Sequence, residues 1–407
     1  MKKIRFALIQ LLLYIIKPFI KKKSNLVFFG SWCGELVIDN TLYLAKFFDS
    51  KKDLEMYWVG KQEIKDEVTK TFRNIKFLDM DKFSTLIKLM QASVIFYSQM
   101  LQGDFPRFNI YKKAIKIHLL HGLAIKKVYA DAPNIDKESL LKRIYGIFLG
   151  SNTKDNYCIS SSPILKHYVL TAFLIKEDDK VLEFGSPRND YLINSTTDEK
   201  KRLIQKYSEL LGCDLRNKRI ILYSPTYRRL SSNNISLFNK DDKQTKKLLT
   251  LLSDENAVLI EKKHFAGIKS NSDCQIKKHD SFFTVDSIRQ INFQELLLIS
   301  DILISDYSGA ILDFALLRKP QISYVFDYEY YKNVDSGLYF DVEHYSPGDI
   351  AYNYDELISK INYVLKNGKN QRSNIDNVIK TFTSFESGNC CLNIFNFLIH
   401  NNYLESK

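Results

Sequence analysis

Short apolar runs of strand length alternate with helix-like stretches along nearly the whole sequence, and few folds accommodate that pattern. In chain order the strand-like runs are SNLVFFGSW, DLEMYWVG, KFLDM, ASVIFYS, IKIHLLHG, RIILYSP, AVLIEKKH, SFFTVD, DILISD and QISYVF. Helix-like segments such as KDEVTKTFRN and YDELISKINYVLKN lie between them. Such alternation is typical of βαβ units, because neighbouring parallel strands need a long, usually helical, connection. The sequence therefore predicts an α/β fold with parallel sheets.

The chain is long enough for two domains, since 407 residues exceed what one hydrophobic core usually organises. A polar, charge-rich segment at 194–217 separates two sets of alternating runs, and we place the domain join there. The predicted parts are an N-terminal segment 1–23, Rossmann-like domains at 24–200 and 215–385, and a C-terminal helix at 386–407. Two such domains facing across a cleft, as in GT-B enzymes, would hold an active site at the carboxyl ends of their strands.

The first 23 residues contain an apolar stretch, 6–16, with basic residues on both sides. This stretch is shorter than the roughly 20 apolar residues that cross a bilayer. We therefore predict an amphipathic helix that lies on an anionic membrane surface, which makes the protein peripheral (monotopic) on the cytoplasmic side of the cell membrane. A signal peptide and a first helix packed in the core are the alternatives.

A formal charge of +12 favours anionic partners, which include phosphorylated metabolites, nucleic acid and acidic lipid. No nucleic-acid-reading module is recognisable, so we predict no nucleic-acid partner. The six cysteines have no CxxC spacing, and there is no DxD motif or His/Cys cluster. These features predict a reducing cytoplasm, no metal and no cofactor.

Two histidines end predicted strands, one in each half of the chain. His121 closes IKIHLLHG; Gly122 after it permits close backbone approach, and Lys126 is placed to meet phosphate charge. His264 ends AVLIEKKH. If the halves face each other, one imidazole could take a proton from an attacking hydroxyl while the other stabilises charge on a pyrophosphate. Histidines near strand ends are often structural, and we interpret His118 in that way.

Three further residues near strand ends have side chains that suit anions. Arg188 lies in GSPRND, a predicted turn, where it would either clamp a phosphate or bridge loop carboxylates and carbonyls. Thr226 and Arg228 follow RIILYSP, and the forked guanidinium of arginine matches phosphate oxygens. A solvated charge pair is the alternative for Arg228.

The segment SDILISDYSGAILDF predicts a strand that runs directly into an apolar helix. The N–H groups at the helix start, with the hydroxyls of Ser305 and Ser308, could hold a diphosphate without a metal, and Asp306 lies in the same junction. Asp313 would bond a ribose hydroxyl or remain a solvated acid. Ordinary helix capping by Ser and Asp is the alternative explanation.

Several segments in order resemble the CDP-glycerol glycerophosphotransferase family, which contains the primases and polymerases of teichoic acids and related capsule polymers. These segments are FGSWCGELVIDN, HGLAIKKV, GSPRND, LYSPTYR, KKH, SDYSGAILDF, RKPQISYVFDYEYY and SPGDI. The resemblance implies an acceptor-side first domain, a CDP-donor-binding second domain, and His121 and His264 as general base and second essential histidine. It also implies that four residues hold the donor's phosphates and nucleoside: Arg228, Ser305, Ser308 and Asp313.

The resemblance implies transfer of glycerol phosphate from CDP-glycerol to a lipid-linked saccharide or a growing polymer, with CMP as the leaving group. Departures from the family pattern at Leu123, Phe265 and Gly309 leave CDP-ribitol open as the donor. A nucleotide-sugar glycosyltransferase of the same architecture is the second enzyme hypothesis. A basic nucleic-acid-binding or membrane scaffold protein is the hypothesis from a different class.

Overall fold

The chain forms two compact units, each built around its own sheet. A computed structural model describes residues 2–108, 110–111, 113–122, 125–132, 156–228, 236–237, 242–263, 277–279, 281–285 and 290–405. Unit 1 comprises Met1–His121, Ile135–Tyr191 and Phe385–Lys407. Unit 2 comprises Gly122–Asn134 and Leu192–Ser384.

Unit 1 contains a seven-stranded sheet in the order β3-β2-β1-β4-β5-β6-β7. All of its pairings are parallel. The strands are β1 Leu26–Gly30, β2 Glu55–Gly60, β3 Ile75–Asp79, β4 Val94–Tyr97, β5 Ile115–His118, β6 Asn156–Ile159 and β7 Val181–Leu182. The order reverses between β1 and β4, and in sheets of this kind ligands bind at the carboxyl ends of strands near such a reversal.

Helices of unit 1 cover both faces of its sheet. Their bounds are Lys2–Ile16, Asp39–Phe48, Lys65–Thr71, Phe83–Leu89, Leu101–Asp104, Pro163–Ala172, Pro187–Asn194 (whose last residues belong to unit 2) and Cys390–His400. Alternate residues of β1 point to opposite faces, so Val27 and Phe29 share a core with Ile394 of the C-terminal helix. On the other face, Phe28 shares a core with Leu13 of the N-terminal helix.

Unit 2 contains a second seven-stranded sheet, in the order β10-β11-β9-β8-β12-β13-β14. Only the pairing of β10 with β11 is antiparallel among the described pairings of this sheet. The strands are β8 Arg219–Ser224, β9 Ala257–Glu261, β10 Lys277–His279, β11 Phe282–Thr284, β12 Ile302–Ser305, β13 Gln321–Tyr324 and β14 Asp349–Ala351. The order reverses between β8 and β12, so the segments after these two strands emerge side by side.

The described helices of unit 2 are Thr197–Leu211, Asp242–Asp254, Phe293–Ile299, Ala310–Ala315, Tyr328–Tyr330 with a π-helical turn Tyr331–Asp335, Val342–Tyr345, Tyr354–Asn367 and Ile375–Phe382. Together the two sheets confirm the predicted α/β fold with parallel strands. The sequence patterns missed β6, β10 and β14, each of which is only three or four residues long.

One local prediction needs correction, and one polar segment is more regular than its composition suggests. The segment GSPRND was predicted as a turn, but a helix begins at Pro187, the first helical position, where a missing N–H costs nothing. The polar segment at 194–217 is largely the helix Thr197–Leu211, which Thr196 caps and whose Leu203 and Tyr207 are buried. Apolar residues at three- and four-residue spacing make a polar-looking surface helix pack against a core.

The units also divide the chain differently from the predicted boundaries. Residues 122–134 fall within the predicted first domain, yet they group with unit 2. Backbone hydrogen bonds explain this, since Lys127 donates to Gly337 and Tyr339 donates to Ile125. The segment from Phe385 onward, predicted as a separate C-terminal helix without an assigned position, packs in unit 1.

The N-terminal helix Lys2–Ile16 has apolar residues on two sides. Leu13 is buried in the core of unit 1, and Ile9 and Ile16 pack beside it. A second side exposes four large apolar residues at helical spacing: Leu8, Leu11, Leu12 and Ile15. The alternative of a core-packed first helix therefore holds for one side of this helix only.

Among the residues that the structure describes, no helix combines the length and the apolar character needed to span a bilayer.

Candidate functional site

His121 lies three residues beyond the end of β5, at the carboxyl edge of the unit 1 sheet. Its side chain is half-buried, and its ring meets the indole of Trp32 edge-to-face at a centroid distance of 6.1 Å. Trp32 follows β1, so two loops from neighbouring parts of the same sheet edge meet at the imidazole. This is where a parallel sheet presents groups to a ligand.

Arg188 is engaged with protein groups of unit 1. Its Nη1 donates to Asp39 Oδ1 at 2.8 Å and to the carbonyl oxygen of His121 at 2.9 Å. The side chains of Arg188 and Asp39 are only 9% and 7% exposed. The guanidinium thus bridges a carboxylate and a loop carbonyl, the second of the two alternatives that the sequence left open.

His118, inside β5, has the structural role that the sequence predicted. It is buried between Tyr97, whose ring stacks on it at 4.6 Å, and the edge-on ring of Phe173. Its Nε2 donates to the carbonyl oxygen of Ser98 at 3.1 Å. Burial, with a smaller contribution from nearby His121, lowers the pKa of His118 to about 3. The ring is therefore neutral at physiological pH.

Two acidic residues that the sequence analysis did not single out organise this edge. Asp39 begins the helix after β1 and accepts from both Trp32 and Arg188. Glu386, from the C-terminal segment, accepts from the hydroxyl of Ser161 and the backbone N–H of Ser186. Gly185 has a φ of 85°, which residues with a side chain rarely adopt, and a Cβ there would lie 2.7 Å from the Glu386 carboxylate. Asp39 stood in the quoted motif FGSWCGELVIDN, but no local signal marked Glu386.

The predicted anion-binding groups of unit 2 surround the ends of β8 and β12. Arg228 is 3% exposed and makes a forked pair with Asp327, with N···O distances of 2.7 and 3.0 Å. Its Nη1 lies 2.9 Å from Asp306 Oδ2 and donates to the Thr226 carbonyl. Burial alone would lower the pKa of Arg228, but attraction by Asp306 and Asp327 outweighs it, so the pKa is raised.

The guanidinium of Arg228 is engaged by protein carboxylates in this structure, and its contact with the donor's phosphates stays a prediction. Two formal negative charges, on Asp306 and Asp327, already face its one positive charge. The forked N–H groups of its guanidinium pair with these two carboxylates. The rings of Tyr307 and Tyr331 pack on the guanidinium with centroids 5.0 and 4.9 Å from Cζ. The alternative of a solvated charge pair is wrong, because the guanidinium is buried.

Asp306 and Thr226 connect the two strand ends to each other. Asp306 Oδ1 accepts from the backbone N–H of Thr226 at 2.9 Å and from its hydroxyl at 2.6 Å. Tyr345 donates to the Asp306 carbonyl at 3.1 Å. Burial raises the pKa of Tyr307, and Asp327 raises it further, so the phenol stays protonated and donates to Asp327. These contacts fix the backbone that leads into the helix Ala310–Ala315.

The remaining residues of this junction differ in exposure. Ser305 is fully buried and donates to the Ser224 carbonyl at 2.6 Å, which makes its hydroxyl part of the sheet edge. Ser308 is half-buried, and its hydroxyl accepts from the N–H of Ala310 at 3.2 Å. Asp313 has no exposed surface, so the alternative of a solvated acid is wrong.

Gly122 and Lys126 lie in the segment of unit 2 that joins Leu338 through an isolated bridge at Lys126. Both are half-buried. His264, like Leu123 and Phe265, lies outside the described residues. Within the described ranges, no three His, Cys, Asp or Glu side chains form a group able to hold a metal ion.

Comparisons with known proteins cover almost the entire chain. A family model described as CDP-Glycerol:Poly(glycerophosphate) glycerophosphotransferase matches residues 12–400. A teichoic acid glycerol-phosphate transferase of Staphylococcus aureus is 26% identical over 355 residues, 84% of each chain. A teichoic acid poly(glycerol phosphate) polymerase of Bacillus spizizenii is 28% identical over 90% of each chain. The solved wall teichoic acid polymerase TagF superposes with a TM-score of 0.76 at 19% identity, over 98% of this chain and 95% of that one.

Proposed function

Because the chain belongs to the CDP-glycerol:poly(glycerophosphate) glycerophosphotransferase family, we propose that it transfers glycerol phosphate from CDP-glycerol to an acceptor hydroxyl and releases CMP. The match over residues 12–400 is the observation that carries this proposal. The two relatives named above, aligned over 84% and 90% of the chain, have glycerol phosphate in their names. A lipid-linked saccharide or a growing polyol-phosphate chain of teichoic acid or capsule biosynthesis would supply the hydroxyl.

In the proposed reaction, the acceptor oxygen attacks the phosphorus that carries glycerol while the bond from that phosphorus to the CMP oxygen breaks. The imidazole of His121 takes the proton from the acceptor hydroxyl. Positioning and charge stabilisation supply most of the rate acceleration in reactions of this kind. His121 suits the role because it stands at a strand's carboxyl end and is half-buried.

The donor's phosphates would meet the helix start after Ser308, together with Lys126 and Gly122. The Ser308 hydroxyl is half-buried, and backbone N–H groups at a helix start favour anions. Arg228, Thr226 and Asp306 would act indirectly, since their mutual contacts fix the same junction. His264 keeps its predicted role of stabilising charge on the leaving group.

We further propose that the N-terminal helix holds the protein on the cytoplasmic membrane surface. Its outer side presents Leu8, Leu11 and Ile15 at 62%, 58% and 56% exposure. A stripe of large apolar residues on a surface helix, followed by Lys21, Lys22 and Lys23, suits an interface with anionic lipid. A membrane location would bring the enzyme to a lipid-linked acceptor.

The direct test supplies purified protein with CDP-glycerol or CDP-ribitol and a lipid-linked disaccharide acceptor. We expect CMP release with CDP-glycerol and a product whose mass increases by whole glycerol phosphate units. CMP release with CDP-ribitol alone would assign a ribitolphosphotransferase. Formation of a glycosidic product from a nucleotide sugar would assign a glycosyltransferase, and inactivity with all donors would contradict an enzymatic function.

Replacing His121 tests the proposed general base. His121→Ala should lower turnover by about 10² or more, because that is the contribution a positioned general base commonly makes. Exposed His400, changed to Ala, is the matched control and should retain full turnover. Turnover of His121→Ala near that of the control would contradict the assignment.

A further inference from the structure

The loops around His121 hold backbone conformations that residues with side chains rarely adopt. Four residues around His121 have positive φ angles: Trp32 (45°), Cys33 (56°), Asp39 (69°) and Leu120 (57°). Of the other described residues with positive φ, Leu174, Asn256, Arg318 and Asn402 follow the carboxyl end of a helix by two or three residues, where a left-handed residue is common, and Tyr129 begins a 3-10 turn. Strained residues that do not follow a helix persist only where the surroundings hold them, and they cluster at functional sites.

A closed ring of contacts holds these loops in place. Trp32 packs its ring against the His121 ring, and its Nε1 donates to Asp39 Oδ2 at 3.2 Å. The other oxygen of Asp39 accepts from Arg188 at 2.8 Å, and Arg188 donates in turn to the His121 carbonyl at 2.9 Å. The ring therefore begins at the imidazole of His121 and returns to the backbone of the same residue.

Asn40, the neighbour of Asp39, extends the same brace to the residues before His121. Its Nδ2 donates to the carbonyl of Leu119 at 2.7 Å and to that of Leu120 at 3.2 Å. Its Oδ1 accepts from the backbone N–H of Arg188 at 3.0 Å. The strained Leu120 is thus held from both sides, by Asn40 and by the Arg188 contact to His121.

We propose that Asp39 is a positioning residue for His121, which it holds through two arms: Trp32 sets the imidazole ring and Arg188 sets the backbone. Asp39 itself touches neither substrate nor reacting atoms in this role. A base held in its working orientation before the substrate arrives avoids the cost of ordering it during the reaction. The inference rests on the proposed function for the proton transfer, but the positioning itself can be measured without substrate.

The first measurement uses histidine labelled with ¹³C and ¹⁵N and needs no donor. The His121 ring resonance is assigned by its disappearance in His121→Gln. We expect that resonance to shift in Asp39→Asn and in Trp32→Phe, which keeps an aromatic ring but lacks the N–H that Asp39 holds. Asp190→Asn is the matched control, because Asp190 is a half-buried aspartate on the same helix as Arg188 and accepts from the backbone N–H groups of Cys390 and Cys391.

The second measurement is CMP release from CDP-glycerol by the same variants. Asp39→Asn should lower kcat by about 10- to 100-fold, since small misplacement of a reacting group has an effect of this size. KM should change by less than about twofold, because the contact acts on the transition state and not on donor binding. Trp32→Phe should give a smaller loss of kcat. Asp190→Asn should lower the melting temperature while kcat and the His121 resonance stay unchanged.

The outcomes separate the inference from the function on which it rests. An active wild-type protein whose Asp39→Asn variant keeps both kcat and the His121 resonance overturns the inference, as does an equal loss of kcat in Asp190→Asn. If Asp39→Asn does not fold, Trp32→Phe decides the question by the same two readings. If the wild-type protein releases no CMP, the proposed function fails, and the resonance alone decides whether Asp39 positions His121.

Discussion

At the scale of single residues, the two arginines for which the sequence offered a phosphate-binding role both pair with the protein's own carboxylates. Arg228 lies between Asp306 and Asp327, 78 and 99 residues further along the chain, and Arg188 pairs with Asp39, 149 residues before it. The local sequence around an arginine reveals its charge and its position after a strand. It carries no information about a carboxylate that only the folded chain brings within 3 Å.

Loss of Arg228 should be costly because it leaves buried carboxylates without their partner. We expect Arg228→Ala to lower the free energy of unfolding by about 3–5 kcal/mol, as found when one partner of a buried ion pair is removed. Urea unfolding followed by circular dichroism measures the change. Arg216→Ala, which breaks an exposed pair with Asp214, should produce no measurable change. Equal effects of the two variants would contradict a buried ion-pair role.

His118 should make the stability of unit 1 sensitive to acid. Folding depresses its pKa from 6.5 to about 3, so between these values the unfolded chain binds a proton that the folded chain excludes. The contribution of the neutral His118 ring to the free energy of unfolding is complete above pH 6.5. It is lost as pH falls, by about 1.4 kcal/mol per pH unit between pH 6.5 and pH 3. Both tryptophans, Trp32 and Trp58, lie in unit 1, so their fluorescence reports its unfolding by urea.

The variant His118→Phe separates this titration from other acid effects. It keeps an aromatic ring between Tyr97 and Phe173 but has no group that titrates. Its unfolding free energy should depend less steeply on pH between 6.5 and 4 than that of the wild-type protein. Identical slopes would show that other groups cause the acid sensitivity.

At the scale of secondary-structure elements, the sequence predicted the strands and helices that a local pattern of apolar residues marks. The helix Thr197–Leu211 shows the limit of such patterns. Its polar composition was the reason to place a domain join there, and it gave no sign of the packed face that the buried Leu203, Tyr207 and Leu211 form. Pro187 likewise reads as a turn residue, although proline also begins helices. Composition alone does not distinguish a solvated segment from a helix with one buried stripe.

The N-terminal helix yields a prediction that belongs to the element as a whole. Changing Leu8, Leu11 and Ile15 together to Gln should lower partitioning onto vesicles of anionic lipid at least about tenfold, because each loses apolar area that would enter the interface. Vesicle co-sedimentation measures this, and the melting temperature should be unchanged because all three are exposed.

Three exposed apolar residues elsewhere provide the matched control for this helix. Ile193, Tyr352 and Leu392 are 37%, 44% and 42% exposed, and their joint replacement by Gln should leave vesicle binding unchanged. Equal losses in both triple variants, or equal binding to neutral and anionic vesicles, would contradict a membrane role for this helix.

At the scale of the whole molecule, the chain returns at its end to the unit in which it began. The helix Cys390–His400 supplies Ile394 and Leu398 to the core that surrounds β1. Truncation after Ser384 should therefore unfold unit 1 although it removes no strand. A red shift of tryptophan emission would report this, and an unchanged, cooperative unfolding transition would contradict it.

Point variants in the same helix refine this test. Ile394→Ala should lower the unfolding free energy of unit 1 by about 2–5 kcal/mol, the usual cost of emptying a buried aliphatic site. Leu392→Ala, two residues earlier and 42% exposed, should change it much less.

The predicted cleft between two domains, and the meeting of His121 with His264, remain predictions at this scale.

The sequence by itself determined that the chain is an α/β protein with parallel sheets and to which family it belongs. Buried parallel strands are continuous apolar runs, and family motifs such as HGLAIKKV are short, so both can be read from neighbouring residues. Only the tertiary structure decided strand order, the place of the C-terminal helix and the partners of Arg188 and Arg228. These depend on contacts between residues far apart in the chain, and each side chain's role follows from the group that the fold places beside it.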